Sequence, residues 1–183
     1  MSWTRKILRV NLSDGSCTSE PLNMEWANQY LGQRGLASKY LTEEVDPACD
    51  ALGAENKMIM ATGPLTGTMA STGGRYSVIC KSPLTGAIAC SNSGGFFGAE
   101  LKFAGWDMII FEGQSAKPVY LYIQNDKAEL RSAEHLWGKS AWDPEDMRIA
   151  LRLAPEVKLL PCTATDKESV KNALLELLYS ILE

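Results

Sequence analysis

The chain has 183 residues, of which 45% are hydrophobic and 22% are charged, and its formal net charge at pH 7 is −4. No stretch approaches the roughly 20 apolar residues of a membrane span, and the basic residues are scattered rather than clustered as in nucleic-acid-binding domains. These features predict a single soluble domain that binds neither a membrane nor nucleic acid.

The N-terminus and the cysteines indicate the cellular compartment. The first residues lead directly into an alternating apolar stretch and lack the pattern of a secretory signal, so we expect a cytoplasmic protein. The cysteines include no Cys-x-x-Cys pair, which argues against a disulfide framework and against a zinc or iron–sulfur site made by this chain alone. They are Cys17, Cys49, Cys80, Cys90 and Cys162.

In chain order, the pattern predicts the short strands and helices of an α+β domain. Residues 7–12 and 17–21 predict an opening hairpin. Asn23 then precedes a helical pattern that Gly32 and Gly35 interrupt. Further helices are predicted at 36–44 and 96–104, and strands at 57–62, 76–81, 87–91, 106–112, 119–124 and 128–131.

Two helices are predicted in the last 40 residues or so. Asp143 and Pro144 suit the start of a helix that reaches about residue 153. Thr165 and Glu168 form a capping box for an amphipathic C-terminal helix. Its apolar residues recur at helical spacing: Val170, Ala173, Leu174, Leu177, Leu178 and Ile181.

A loop of small and hydroxyl residues at 63–76 has no acidic side chain and contains Arg75 near its end. Such a backbone can approach an anion closely, and a guanidinium can bind phosphate through two parallel hydrogen bonds. The loop therefore favours an anionic ligand. A tight connection between strands, with Arg75 solvated, accounts for the same residues.

A second small-residue loop, at 91–95, is predicted to join a strand to a helix. The helix N-terminus would present free N–H groups to an anion. Asn92 adds an amide oxygen that can bind magnesium beside a phosphate. Two such loops favour a phosphate-bearing cofactor, whereas a polar helix cap with glycines for packing is the alternative.

Other motifs are weaker evidence for a function. The elements around residues 92–112 have the outline of a dinucleotide-binding unit, but the glycine pattern and the helix length do not fit one. Residues 133–140 match a relaxed form of the phosphate-loop sequence pattern, but bulky residues replace its glycines, so we interpret the match as a chance one. His135 has no partner by spacing. No acid–base role is assigned to Asp46, Asp50, Glu55, Glu100 or Asp107.

Several segments, taken together, resemble the N-terminal domain of the tungsten-dependent aldehyde:ferredoxin oxidoreductase family. These segments are 7–15, 32–37, 63–76, 81–86, 92–105 and 135–139. The resemblance covers about residues 3–160, in family order and spacing. It predicts an incomplete pterin-cradling domain at 1–160, followed by a tail at 161–183 that is foreign to the family and contains the amphipathic helix.

The resemblance implies a full enzyme that oxidises aldehydes to carboxylic acids at a tungsten bis-pyranopterin (tungstopterin), which lies on a saddle of β-sheet. Electrons pass through a 4Fe–4S cluster to ferredoxin. Arg75 is similar to the family's pterin-phosphate contact, and Asn92 matches a residue near the magnesium that bridges the two phosphates. The candidate cofactor-binding residues are Arg75, Asn92, Gly94, Gly74, Ser93 and Gly95, and no catalytic residue is assigned.

After residue 160 the chain departs from the family pattern, without the second half of the saddle, the cluster cysteines or the downstream acid–base residues. We therefore expect a fragment that is inactive alone and needs the missing domains or a second chain. Two alternatives stay open. One is a non-catalytic remnant or interaction module whose terminal helix pairs with another chain, and the other is a related tungsten enzyme that acts on a different substrate, such as an aromatic thioester.

Overall fold

The computed structural model describes residues 3–136, so the helix predicted at 143–153 and the amphipathic helix predicted from about residue 165 to the C-terminus lie outside the described residues. The strands are β1 Lys6–Asn11, β2 Cys17–Pro21, β3 Met58–Thr62, β4 Tyr76–Lys81, β5 Ile88–Ser93, β6 Met108–Glu112, β7 Val119–Gln124 and β8 Lys127–Ser132. The helices are α1 Met24–Tyr30, α2 Gln33–Glu44 and α3 Phe97–Phe103.

Six strands form one mixed sheet in the order β2-β1-β6-β3-β4-β5, and β7 pairs with β8 in a separate hairpin. Only the β1–β6 pairing is parallel within this sheet; its other pairings are antiparallel. The mixed sheet with three short helices confirms the predicted α+β class. β5 forms one edge of the sheet, next to β4, and this edge carries the candidate site.

The two faces of the sheet are buried by different layers. On one face Ile7 and Ile110 pack with side chains of α1 and α2, such as Leu36. On the other face Leu8 and Ile109 belong to a cluster that includes Leu101 of α3 and side chains of the β7–β8 hairpin. Alternate residues of β1 and β6 therefore enter opposite cores, as the two-residue period of a strand requires.

A buried ion pair ties the N-terminal segment to the connection between α3 and β6. Asp107 is 1% exposed, and its carboxylate accepts hydrogen bonds from the main-chain N–H groups of Thr4, at 3.1 Å, and Arg5, at 2.6 Å. The ammonium of Lys102 donates to the same carboxylate. Asp107, one of the acidic residues considered from the sequence, thus has a structural role.

A second ion cluster joins α2 to the sheet. Arg9 of β1 donates to Glu20, Glu44 and Glu112, and Lys57 also pairs with Glu44 and Glu112. Burial alone would raise the pKa of Glu44, but the hydrogen bonds from Arg9 and Lys57 outweigh burial and lower it below its ordinary value. The hydrogen bond with Glu44 likewise raises the pKa of Arg9.

Two sequence predictions need correction. The second helix begins at Gln33 rather than at 36, because the left-handed conformations of Leu31 and Gly32 already separate it from α1. β5 continues to Ser93 because it pairs with β4 along its whole length. The structure agrees with the rejection of a dinucleotide-binding unit from the sequence, because β5 and β6 are separated by β3 and β4 and run antiparallel, whereas neighbouring strands of such a unit are parallel.

Candidate functional site

Arg75 immediately precedes β4, and its main chain is fixed by two side chains from other segments. Its carbonyl oxygen accepts a hydrogen bond from Thr66 Oγ1 at 3.1 Å and another from Gln33 Nε2 at 3.0 Å. The buried Thr66 hydroxyl also accepts from the Gly63 N–H at 3.0 Å. The 63–76 loop is thereby closed on itself and tied to the start of α2.

Strand pairing brings Asn92 next to Arg75. In the antiparallel β4–β5 ladder Ser77 lies opposite Asn92 and Tyr76 opposite Ser93. The Arg75 guanidinium therefore reaches across the ladder, and its Nη1 donates a hydrogen bond to Asn92 Oδ1. Both side chains are exposed, so this pair lies at the surface, where a ligand can reach it.

The two glycine-containing segments touch each other through their backbones. A Cβ placed on Gly74 would lie 2.6 Å from the carbonyl oxygen of Gly95, closer than any real side chain comes. Gly98, in the first turn of α3, faces the carbonyl oxygen of Gly74 in the same way, with a Cβ distance of 2.9 Å. Glycine at position 74 is therefore what lets these segments pack against each other.

Two adjoining hollows open beside Arg75. The first, which we call the loop hollow, has a volume of about 400 Å³ and is lined by residues 31–33, 63–66, 70–73 and Arg75. The second, which we call the arginine hollow, has a volume of about 430 Å³; its lining residues are Gly32, Gln33, Arg34, Gly35, Arg75, Ser77, Cys90 and Asn92. None of these described lining residues is acidic. Two guanidinium groups without a neighbouring carboxylate suit an anion.

The structure brings together only part of the predicted residue set at the hollows. Arg75 and Asn92 line the arginine hollow, whereas Gly74, Ser93, Gly94 and Gly95 lie beside it without lining either hollow. Asn92 and Ser93 belong to β5 rather than to a loop. The predicted polar cap of the following helix is also wrong, because that helix has Phe96 at its N-cap, with no side-chain hydrogen bond.

The sequence reasoning missed the start of α2 as part of the site. Gln33 lines both hollows and Arg34 lines the arginine hollow, yet they lie about 40 residues from Arg75 in the chain. The only available signal was a glycine-flanked arginine, Gly32-Gln33-Arg34-Gly35, within a segment that already resembled the family.

The remaining candidates lie away from the hollows. Asp46 and Asp50 accept main-chain hydrogen bonds within their own turns. His135 is exposed in the turn after β8, and residues 137–140 of the segment that matches a relaxed phosphate-loop pattern are outside the described part. Within residues 3–136 no group of three or more His, Cys, Asp or Glu side chains could hold a metal ion, and the four described cysteines are free thiols.

The sequence-family model described as "Aldehyde ferredoxin oxidoreductase, N-terminal domain" matches residues 7–160 of this chain. The chain belongs to the aldehyde ferredoxin oxidoreductase family. This confirms the resemblance that the sequence segments indicated. Among the helices described for this family member, none is long and apolar enough to cross a membrane.

The similar proteins are much longer than this family member. The tungsten-containing aldehyde ferredoxin oxidoreductase of Pyrococcus horikoshii is 58% identical over 142 residues, which cover 78% of this chain and 23% of that protein. The enzyme of the same description from Thermococcus kodakarensis is 58% identical over 144 residues, 79% of this chain and 24% of the relative. The chain thus spans about a quarter of the length of these relatives.

Relatives with other names share the same domain. The WOR-like subunit of an aliphatic sulfonate oxidoreductase from Pyrococcus furiosus is 36% identical over 140 residues, 75% of this chain and 22% of that protein. A solved structure, the active site complex BamBC of benzoyl coenzyme A reductase with 1,5-dienoyl-CoA, is 41% identical with a TM-score of 0.75. It covers 82% of this chain, and this chain covers 23% of it.

Proposed function

We propose that the domain holds a tungsten bis-pyranopterin by its phosphate groups, within an oxidoreductase that converts aldehydes to carboxylic acids. The observation that carries this proposal is the Arg75–Asn92 pair at the edge of two hollows whose described lining is free of acidic side chains. The names of two relatives that are 58% identical to this chain support tungsten and the aldehyde. The bound cofactor would supply the redox chemistry.

In this proposal Arg75 is the principal phosphate contact. A guanidinium carries several N–H donors, and only Nη1 is engaged with Asn92, so donors remain for a phosphate. Thr66 and Gln33 fix the Arg75 backbone and so limit the conformational entropy lost on binding.

Asn92 and the nearby glycines have supporting roles. The Asn92 amide oxygen is a ligand type that magnesium accepts. This oxygen now accepts a hydrogen bond from Arg75, and a phosphate that bound Arg75 would compete with Asn92 for that donor. Gly94 and Gly95 are exposed and carry no side chain, so a ligand can approach their main chain. We propose that Ser93 and Gly74 border the same surface.

The remainder of the proposed function depends on parts outside this chain. Electrons would leave through a 4Fe–4S cluster to ferredoxin, and we propose that the missing domains or a second chain supply the cluster ligands and the aldehyde pocket. We therefore expect the 183-residue chain to oxidise no aldehyde alone. The cytoplasmic location stays a prediction from the N-terminal residues.

The proposal is tested by the cofactor content of Arg75 variants. The 183-residue chain is purified from cells that synthesise tungstopterin; tungsten is measured by mass spectrometry and pterin by the fluorescence of its oxidised form. Arg75→Gln should lower both at least tenfold, because a lost hydrogen bond to a charged group is worth about 1.5–3 kcal/mol. Arg75→Lys should retain an intermediate amount, because it keeps the charge but loses the planar fork.

A matched control removes one positive charge elsewhere. Lys127 is exposed on β8 and lines neither hollow, so Lys127→Gln should leave both contents unchanged. Equal contents in Arg75→Gln and Lys127→Gln would contradict the proposal. Unsubstituted chain without tungsten and pterin would favour the interaction module instead, which concentration-dependent association in sedimentation experiments would then support.

A second substrate class has a specific observation in its favour. The sulfonate oxidoreductase subunit and the benzoyl coenzyme A reductase complex share this domain at 36% and 41% identity. A similar domain therefore occurs in proteins whose names mention substrates other than aldehydes. Identity of 58% to the aldehyde enzymes favours aldehyde oxidation, and turnover of an aldehyde by the complete assembly would distinguish the two.

A further inference from the structure

We propose that Arg34 and the first turn of α2 form a second phosphate-binding wall, facing Arg75 across the arginine hollow. This inference rests on the proposed function and deepens it by adding a contact from a segment to which no phosphate role has been given. The ligand chemistry is a phosphate or pyrophosphate-like anion, such as the phosphate end of the pterin.

The first step is the position of Arg34. It lines the arginine hollow together with Arg75 and Asn92, and it is exposed. Within residues 3–136 the Arg34 side chain has no hydrogen-bonding or ion-pair partner, and no acidic side chain among the described residues lines the hollow. Two like charges in one hollow repel each other unless an anion lies between them, so a bound phosphate would satisfy both guanidinium groups.

The second step is the anchoring of α2. Gly32, at its N-cap, has φ +102°, and a Cβ there would lie 2.8 Å from the Trp3 ring and 3.2 Å from Gly63. Gln33 has φ 44°, an uncommon value for a non-glycine residue, while its side chain holds the Arg75 carbonyl at 3.0 Å. This unusual backbone is what brings the start of α2 to the hollow beside Arg75.

The third step concerns the free N–H groups of α2. This 12-residue helix has no side-chain hydrogen bond at its N-cap. The N–H groups of its first turn therefore lack intrahelical partners at residues that themselves line the hollow, Gln33 to Gly35. The positive end of the helix dipole adds to the charge of Arg34 and Arg75.

The experiment titrates inorganic pyrophosphate into the 183-residue chain by isothermal calorimetry. We expect Arg34→Gln and Arg75→Gln each to raise the Kd about tenfold or more, and Lys127→Gln to change it by less than about twofold. In ¹⁵N-labelled protein, pyrophosphate should shift the amide resonances of Gln33, Arg34 and Gly35. Arg34 is exposed, so Arg34→Gln should leave the thermal unfolding midpoint unchanged, which separates a binding role from a structural one.

The outcomes distinguish this inference from the proposed function. If Arg75→Gln weakens binding while Arg34→Gln behaves like Lys127→Gln, the second wall is refuted and the proposed function stands. If neither arginine variant weakens binding, or if the unsubstituted chain does not bind pyrophosphate, both are contradicted. Amide shifts confined to residues away from 33–35 would also overturn the second wall.

Discussion

The close approach of Gly74 to Gly95 can be tested with a single methyl group. In Gly74→Ala the new Cβ would stand 2.6 Å from the Gly95 carbonyl oxygen, whereas ordinary contact begins at 3.4 Å. The obstructing atom belongs to the backbone, so one of the two segments has to move by several tenths of an ångström. Such overpacking costs about 1–3 kcal/mol, and the loss of chain entropy in the unfolded state offsets about 0.4–1 kcal/mol of it.

Gly94→Ala provides the matched control for the stability of Gly74→Ala. Its Cβ would meet the Arg75 side chain at 3.6 Å, an ordinary contact with a flexible group. Urea unfolding of the 183-residue chain should therefore show Gly74→Ala less stable than Gly94→Ala by about 1–2 kcal/mol, with unchanged m values. A difference below about 0.5 kcal/mol would refute the argument that the glycine is required for this contact.

Two further predictions concern the ion pairs. Asp107→Asn should lower the free energy of unfolding by about 3 kcal/mol, because it removes the charge facing Lys102 and leaves a main-chain N–H of Thr4 or Arg5 without an acceptor. Urea unfolding measures this loss. The double variant with Lys102→Met should recover part of the lost stability. The lowered pKa of Glu44 means that its contribution to stability is complete above its ordinary value of 4.5 and disappears as the pH falls through the lower folded-state value. Glu44→Gln should therefore unfold at lower urea than the unsubstituted chain at pH 7, and the difference between the two unfolding midpoints should shrink as the pH falls below 4.5.

Local sequence signals were sufficient for most elements. β4 and β7 have the predicted bounds because each is a short apolar run between turn residues. The errors at the start of α2 and the end of β5 come from tertiary structure. A left-handed Leu31 and full-length pairing with β4 set those limits, and single-sequence patterns contain neither.

Prediction of the candidate site was limited by distance along the chain. Small-residue turns identified Arg75 and Asn92 as residues for an anion, but only the β4–β5 register places them in contact. Arg34 lies near them because its neighbour Gln33 donates a hydrogen bond to Arg75, 42 positions along the chain, and no periodicity encodes such a contact. The sequence therefore predicted which residues could bind an anion, but it did not predict that they line one hollow.

The composition of the two hollows limits what the described residues can do chemically. Their linings provide guanidinium, amide, hydroxyl, thiol and main-chain groups, and within residues 3–136 they include no carboxylate and no imidazole. General acid–base catalysis needs a group with a pKa near the working pH at the reacting atoms. In the proposed function, this domain therefore binds and orients the phosphate end of the cofactor, while proton transfer at the aldehyde falls to groups that these hollows do not contain.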